Sequence, residues 1–276
     1  MREAVSAQVA IGRPEASRGR PLYRLLFDAI RYYLVLLFFA IGMVLFLAGI
    51  VTCTIAGSRE WRGRATRYAI HLGASMFFWG MEALGMLTVR GTAARGMLWD
   101  GPAIVVANHP SMLDALLLLA RVPQGVCIMK GSLIRTPLVS TFAKMAGYIW
   151  QQTPEQVIRQ AAERLAQGVS LVIFPEGTRS PAGGLGEIKR GAGRLAVETG
   201  ARLQVLGIRM KPVVLGRGQR WWVPPAFPVH CELEGLGTLR EQPELVMSGD
   251  DFGLGDPRKR VFWLTNQLEV ALRNSV

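Results

Sequence analysis

Cysteine, histidine and acidic side chains are all scarce in this chain. The three cysteines, Cys53, Cys127 and Cys231, match no metal-ligand spacing and are too few for a disulfide framework, which points to a reducing, cytosolic face. Of the three histidines, His71 and His230 stand alone, so no metal centre is expected. Only 20 Asp and Glu oppose 32 Lys and Arg, a formal net charge of +12. Such an excess calls for an anionic partner: a membrane surface, a nucleic acid or a phosphorylated small molecule. The excess is internal, with nine basic and two acidic side chains between Arg179 and Arg220, whereas residues 240–276 carry five basic and six acidic ones. A basic band inside the chain, without the stacked aromatics of an RNA-reading module, favours a site or docking face, and no nucleic-acid partner is expected. There is no internal repeat.

Charge is missing altogether from Tyr32 to Gly57, a run of 26 residues. As one helix it would reach about 39 Å, enough for a hydrocarbon core of roughly 30 Å. The run is too long and starts too late for a signal peptide, and it lacks a small-x-small cleavage site. A membrane-anchoring helix is therefore expected, or a helical hairpin in one leaflet if Gly42 and Gly49 allow a bend. Arg59, Arg62, Arg64 and Arg67 follow the run closely and outnumber Arg24 and Arg31 before it. The positive-inside tendency then puts the downstream domain on the cytoplasmic face, with a bacterial inner (plasma) membrane as the expected location. Residues 1–31 read as a mobile basic segment and residues 32–84 as the anchor plus an interfacial helix. In that helix Arg62, Arg64 and Arg67 precede Phe77, Phe78, Trp79 and Met81. Packing of its apolar face on the domain is the alternative.

Beyond residue 85 short apolar runs alternate with helical stretches. Strands are expected at Met86–Arg90, Ala103–Ala107, Gly125–Met129, Ser170–Phe174 and Leu203–Ile208. Helices are expected at Met112–Ala120, Pro137–Ala146, Pro154–Gln167, Gly191–Thr199 and Pro257–Arg273. Residues 221–247, punctuated by Pro224, Pro225 and Pro228, read as short strands and turns. The pattern is that of an α/β fold, a central mixed sheet flanked by helices.

Two strand ends carry polar residues suited to chemistry. Ala103–Ala107 runs into Asn108-His109-Pro110-Ser111-Met112-Leu113-Asp114, at the edge where α/β sheets place ligands. Pro110 keeps His109 out of a helix, Ser111 suits an N-cap, and Asp114 falls in the first helical turn. A carboxylate that holds an imidazole fixes its tautomer and leaves the free nitrogen basic. The second strand end is Phe174-Pro175-Glu176-Gly177-Thr178-Arg179-Ser180, followed by a flexible loop and then Lys189, Arg190 and Arg194 at a helix start. Cations and free N–H groups at a helix N-terminus suit a phosphate.

Taken together, Asn-His-Pro-Ser-x-Leu-Asp and Phe-Pro-Glu-Gly-Thr-Arg-Ser resemble the glycerolipid acyltransferases, in particular the 1-acylglycerol-3-phosphate (lysophosphatidate) acyltransferases, over about residues 85–225. The resemblance implies that residues 85–276 form an acyltransferase domain with His109 as base and Asp114 as its orienting partner. It further implies substrate binding by Lys130, Glu176, Gly177, Thr178, Arg179, Lys189 and Arg190. No cofactor is implied, only an acyl-carrier protein or coenzyme A thioester as co-substrate. Membrane lipids are the expected surroundings and a lysophospholipid the acceptor. Ser111 is too involved in the turn, and Cys127 too isolated from a base, to act as nucleophile, so backbone N–H groups near Gly177 are expected to assist direct transfer. The chain departs from the family pattern in two places. Gln151 and Gln152 stand where an Arg is usual, and Leu206-Gly207-Ile208 lacks the usual proline. Transfer to a non-glycerophosphate or polyketide-like acceptor, hydrolysis of the thioester by the same pair, and a non-catalytic membrane adaptor remain alternatives.

Overall fold

The computed structural model describes residues 21–53, 58–93, 101–129, 131, 137–150, 152–182, 184–240 and 256–275. Two long helices lead the chain, α1 (Leu22–Cys53) and α2 (Arg59–Ala83). Strands β1 (Leu87–Arg90) and β2 (Ile104–Ala107) follow, then α3 (Asp114–Leu119), β3 (Gly125–Met129), α4 (Pro137–Ala146) and β4 (Ile149–Trp150). The second half runs α5 (Pro154–Ala166), β5 (Ser170–Ile173), α6 (Gly191–Thr199), β6 (Leu203–Lys211), β7 (Val229–Leu239) and α7 (Pro257–Arg273).

The strands form one seven-stranded sheet in the order β1-β7-β6-β2-β5-β3-β4. Strands β6, β2, β5, β3 and β4 are mutually parallel, whereas β7 lies antiparallel to β6 and parallel to β1. The sheet is mixed, as the alternating pattern predicts. Its central strand β2 is buried along its whole length, which explains its unbroken Ile-Val-Val-Ala sequence: a strand covered on both faces has no polar side. One face packs on α2 and α3 through Phe78, Met81, Leu117 and Leu118. The other packs on α5, α6 and α7 through Ala161, Leu195, Leu264 and Leu268.

The parallel arrangement decides where chemistry collects. Val106 of β2 pairs with Ile173 of β5 and with Val205 of β6. The segments that leave β2, β5 and β6 therefore emerge side by side at one edge of the sheet. Asn108, buried at the end of β2, fastens this edge: its Nδ2 donates to the Ile208 carbonyl at 2.8 Å and its Oδ1 accepts from the Ile208 N–H at 2.7 Å. Two complementary bonds lock the strand end against β6 and leave no polar atom of the amide idle in the core. The neighbouring Gly207, where a proline is usual, packs tightly; a Cβ there would lie 2.7 Å from Ser275 Oγ.

Several expectations are corrected. Helix α1 begins at Leu22, so a boundary at residue 31 falls inside it. It runs unbroken through Gly42 and Gly49, so no hairpin bend occurs at either glycine. Strand β7 is a single strand of 11 residues rather than a set of short ones, and β4 is an additional two-residue strand. Ser111 does not cap α3, whose N-cap position is Leu113 without a side-chain bond. The tail 1–20 lies outside the described residues.

Helix α1 has the length and composition to cross a membrane. Leu22, Leu26, Ile30, Leu34, Leu37, Phe38 and Ile41 are exposed along it, while Tyr32 and Val35 turn inward and are buried. Phe39 meets Phe77 of α2 edge-on at 5.2 Å between ring centroids. Helix α2 presents two faces. Phe77, Phe78 and Met81 pack on the domain, and Trp61, Tyr68, Leu72, Met76 and Trp79 remain exposed.

Candidate active site

His109 sits immediately beyond β2, its side chain 18% exposed. Its Nδ1 lies 3.0 Å from Oδ2 of Asp114, the first residue of α3, which is fully buried. That same Oδ2 accepts a 2.6 Å bond from the Ser111 N–H. Donors converge on one carboxylate oxygen, so the ring is held with Nδ1 toward Asp114 and Nε2 directed away. Burial pushes the Asp114 carboxyl up to about 6, against the opposing pull of the hydrogen bond and charge of His109. On the ring's face Phe174 stacks at 4.0 Å between centroids and 15° between planes. The imidazole is thus fixed by one edge and one face.

The backbone of His109 is fixed as well. Its N–H donates to Glu176 Oε1 at 2.9 Å and approaches Ser180 Oγ at 3.2 Å. The Ser180 N–H donates to the His109 carbonyl at 2.7 Å. Ser180 Oγ donates to Glu176 Oε1 at 2.7 Å, and the Gly186 N–H donates to Glu176 Oε2 at 2.7 Å. Glu176 is almost wholly buried and lies outside the wall of the cleft. Its carboxylate ties the β5 loop to the base.

A cleft of about 1350 Å³ opens over His109. Gly177, Thr178, Arg179 and Lys189 line its polar part. Gly177 adopts a left-handed φ of +65° that makes room for Lys189, whose Nζ would lie 3.2 Å from a Cβ at that position. Arg179 Nη1 donates to the carbonyls of Leu215 at 2.8 Å and Gly216 at 2.7 Å, joining the β5 loop to the segment that follows β6. The Gly177 N–H donates to the Phe174 carbonyl at 3.0 Å, so this amide is already engaged and does not face an oxyanion. Arg190 points elsewhere, its guanidinium 5.6 Å from the Phe262 ring on α7. Lys130 and Gln151 lie outside the described residues.

The apolar part of the cleft comes from an unexpected source. Tyr32, Val35, Leu36 and Phe39 of α1, with Phe77 and Met81 of α2, form one wall. The apolar N-terminal helix is part of the cleft wall. Residues 212–215, 218–220 and 223–227 also line the cleft, a role their proline-rich composition did not suggest. Cys127 also borders the cleft, but burial pushes its thiol up to about 12, which keeps it protonated and poorly nucleophilic. Ser111 is fully buried with its Oγ accepting from the Leu113 N–H at 3.1 Å. Among the described residues no group of three His, Cys, Asp or Glu side chains could hold a metal ion.

The family model described as Acyltransferase matches residues 86–216, the stretch that holds both strand-end blocks. Those residues are similar to that family. The chain is 34% identical to the chloroplastic 1-acyl-sn-glycerol-3-phosphate acyltransferase LPAT1 of Arabidopsis thaliana over 106 residues, 37% of this chain and 30% of that protein. Identity is 29% with the putative 1-acyl-sn-glycerol-3-phosphate acyltransferase acl-2 of Caenorhabditis elegans, over 60% of this chain and 59% of that one. It is 28% with the 1-acyl-sn-glycerol-3-phosphate acyltransferase of Pseudomonas aeruginosa, over 44% and 47%. The matches thus span less than two thirds of these relatives. The crystal structure of the 1-acyl-sn-glycerophosphate (LPA) acyltransferase PlsC from Thermotoga maritima shares the fold, with a TM-score of 0.60 at 22% identity over 90% of this chain and 96% of that one. Within residues 86–216, Asn108, Phe174 and Ser180 are the residues whose roles sequence reasoning missed. All three lie inside the matching blocks, but only the parallel pairing of β2 with β5 and β6 brings Phe174 and Ser180 to His109 and Ile208 to Asn108.

Proposed function

We propose that the protein transfers an acyl group from a thioester, carried by acyl-carrier protein or coenzyme A, to the free hydroxyl of a lysophospholipid such as 1-acylglycerol-3-phosphate. The observation that carries this reading is the buried Asp114 bonded to His109 at the mouth of a cleft that is cationic at one end and apolar at the other. His109 Nε2 takes the acceptor's hydroxyl proton as the oxygen attacks the thioester carbonyl, and Asp114 stabilises the imidazolium. A carbon–oxygen bond forms, the carbon–sulfur bond breaks, and the imidazolium returns the proton to the departing thiolate. No covalent acyl-enzyme is required. Lys189, Arg179 and the first turn of α6 bind the acceptor phosphate, and the wall from α1 and α2 takes the acyl chain.

The outward face of α1 lies in the bilayer, so a lipid acceptor enters the cleft along the helix without crossing water. We place the domain on the cytoplasmic face of a bacterial inner membrane, on the balance of arginines around the apolar run. The test is incubation of purified protein with acyl thioesters and a panel of lysolipids, with products identified by mass spectrometry. Acylated product that disappears in His109→Ala supports the reading. Release of free fatty acid without an acceptor would instead make the protein a thioesterase, and unchanged acylation by His109→Ala would end the catalytic assignment.

A further inference from the structure

The segment between β6 and β7 presents a surface that the transfer chemistry does not use. Trp221 and Trp222 are 58% and 49% exposed, and Val223 beside them is also exposed. Neither indole belongs to the cleft wall, although the adjacent Arg220 and Val223 do. The two rings meet edge-on at 5.7 Å, and the Arg220 guanidinium lies 5.6 Å from the Trp222 ring. Arg217, on the preceding turn, is exposed as well.

This turn is tied to α1. The Tyr32 hydroxyl donates to the Trp221 carbonyl, and the Tyr33 hydroxyl donates to the Trp222 carbonyl at 3.0 Å. Two consecutive residues of the helix thus hold two consecutive residues of the turn, which fixes the tryptophans at the level of Tyr32 and Tyr33 along it. Exposed indoles beside arginine, on the flank of an apolar helix, match the composition of a membrane–water boundary. A shared interface with α1 and net positive charge both select an anionic bilayer surface as the occupant.

We propose that Trp221, Trp222 and Val223 enter the headgroup–acyl boundary of an anionic bilayer as a second contact beside α1, and that this contact sets the height of the cleft mouth over the lipid. It rests on the reading that α1 lies in the bilayer. Arg220 serves both sides, with its stem along Trp222 and its position at the rim of the cleft.

The test uses the full chain in vesicles of phosphatidylcholine and phosphatidylglycerol brominated near the glycerol end of the acyl chains. Trp61, Trp79 and Trp99 are first replaced by Phe, which leaves Trp221 and Trp222 beside Trp150 and Trp263, neither of them exposed. The remaining tryptophan emission is quenched, and the further change Trp221→Phe/Trp222→Phe abolishes the quenched component. Trp221→Ser/Trp222→Ser raises the apparent KM for a vesicle-embedded acceptor roughly tenfold, a partial effect because α1 still holds the chain on the vesicle, and leaves the rate with a short-chain, monomeric acceptor unchanged. Absence of quenching, or equal loss with embedded and monomeric acceptors, overturns the proposal. Equal quenching in vesicles of phosphatidylcholine alone overturns the anionic selectivity. Flotation of the unaltered chain with the vesicles reports on α1 separately, and turnover of the monomeric acceptor reports on the chemistry.

Discussion

Glu176 and His109, 67 positions apart in sequence, are joined by a 2.9 Å hydrogen bond from the main-chain N–H of the histidine to a buried carboxylate oxygen. The same carboxylate also receives the Ser180 hydroxyl and the Gly186 N–H. Three donors therefore need a group that only accepts, and glutamine cannot serve them because its amide turns an NH₂ toward at least one N–H. Glu176→Gln is expected to shift His109 and lower kcat on the order of 10²-fold, with the acceptor KM within about twofold of wild type. A large rise in acceptor KM with kcat retained would make Glu176 a substrate contact instead.

The Asp114 carboxyl, raised by burial to about 6, couples both activity and stability to pH. The pair needs an ionised carboxylate to hold the Nδ1–H of His109, so kcat should fall as pH drops through about 6. Stability runs in the opposite direction. Between the ordinary carboxyl value and about 6 the folded chain holds a proton that the unfolded chain has lost. The contribution of this group is therefore fully present below about pH 4 and is lost as pH rises toward 6, by up to roughly 3 kcal/mol. Asp114→Asn should remove that slope, so the variant gains on wild type in Tm between pH 4 and 7 while it loses most activity. A Tm difference that does not vary with pH would contradict the burial argument.

The positions of the elements were far more legible in the sequence than their neighbours in space. Gly125–Met129, Pro137–Ala146, Gly191–Thr199 and Pro257–Arg273 coincide with expectation to the residue, because apolar runs and helix breakers are local signals. Strand β7 was obscured because Gly235 and Gly237 interrupt its alternation, and only the long pairing with β6 holds it extended. At the site, His109 and Asp114 were readable because five residues of one turn join them. The binding of the His109 backbone by Glu176 was not, because it depends on β2 and β5 lying adjacent and parallel. The assignment of Glu176 and Arg190 to substrate came from their places in blocks that resemble the acyltransferases. Burial of the first and the Phe262 contact of the second follow from packing.

Gly177→Ala tests the other side of the loop. A side chain at φ +65° costs about 1–2 kcal/mol in the left-handed region, and the new Cβ would crowd the Lys189 ammonium at 3.2 Å. The ammonium must give way by a few tenths of an ångström, which displaces it from its place in the cleft lining. The expected outcome is a modest fall in Tm and a several-fold rise in KM for a phosphate-bearing acceptor. An acceptor of similar chain length without the phosphate should be affected much less. Equal effects on both acceptors would show that Lys189 does not contact the phosphate.

The wall contributed by α1 makes the last expectation the most direct. Leu36 faces the cleft from the apolar helix and is only partly buried, so a larger side chain can project into the cavity without breaking the core. Leu36→Trp should narrow the apolar end while it leaves His109, Asp114 and the cationic loop in place. Each methylene of the donor that can no longer enter forfeits about 0.8 kcal/mol, roughly fourfold in kcat/KM. Activity across a series of acyl thioesters should therefore shift toward shorter chains, with the shortest donors turned over at the wild-type rate. If long and short donors were reduced alike, α1 would be an anchor alone and the acyl chain would occupy another part of the cleft.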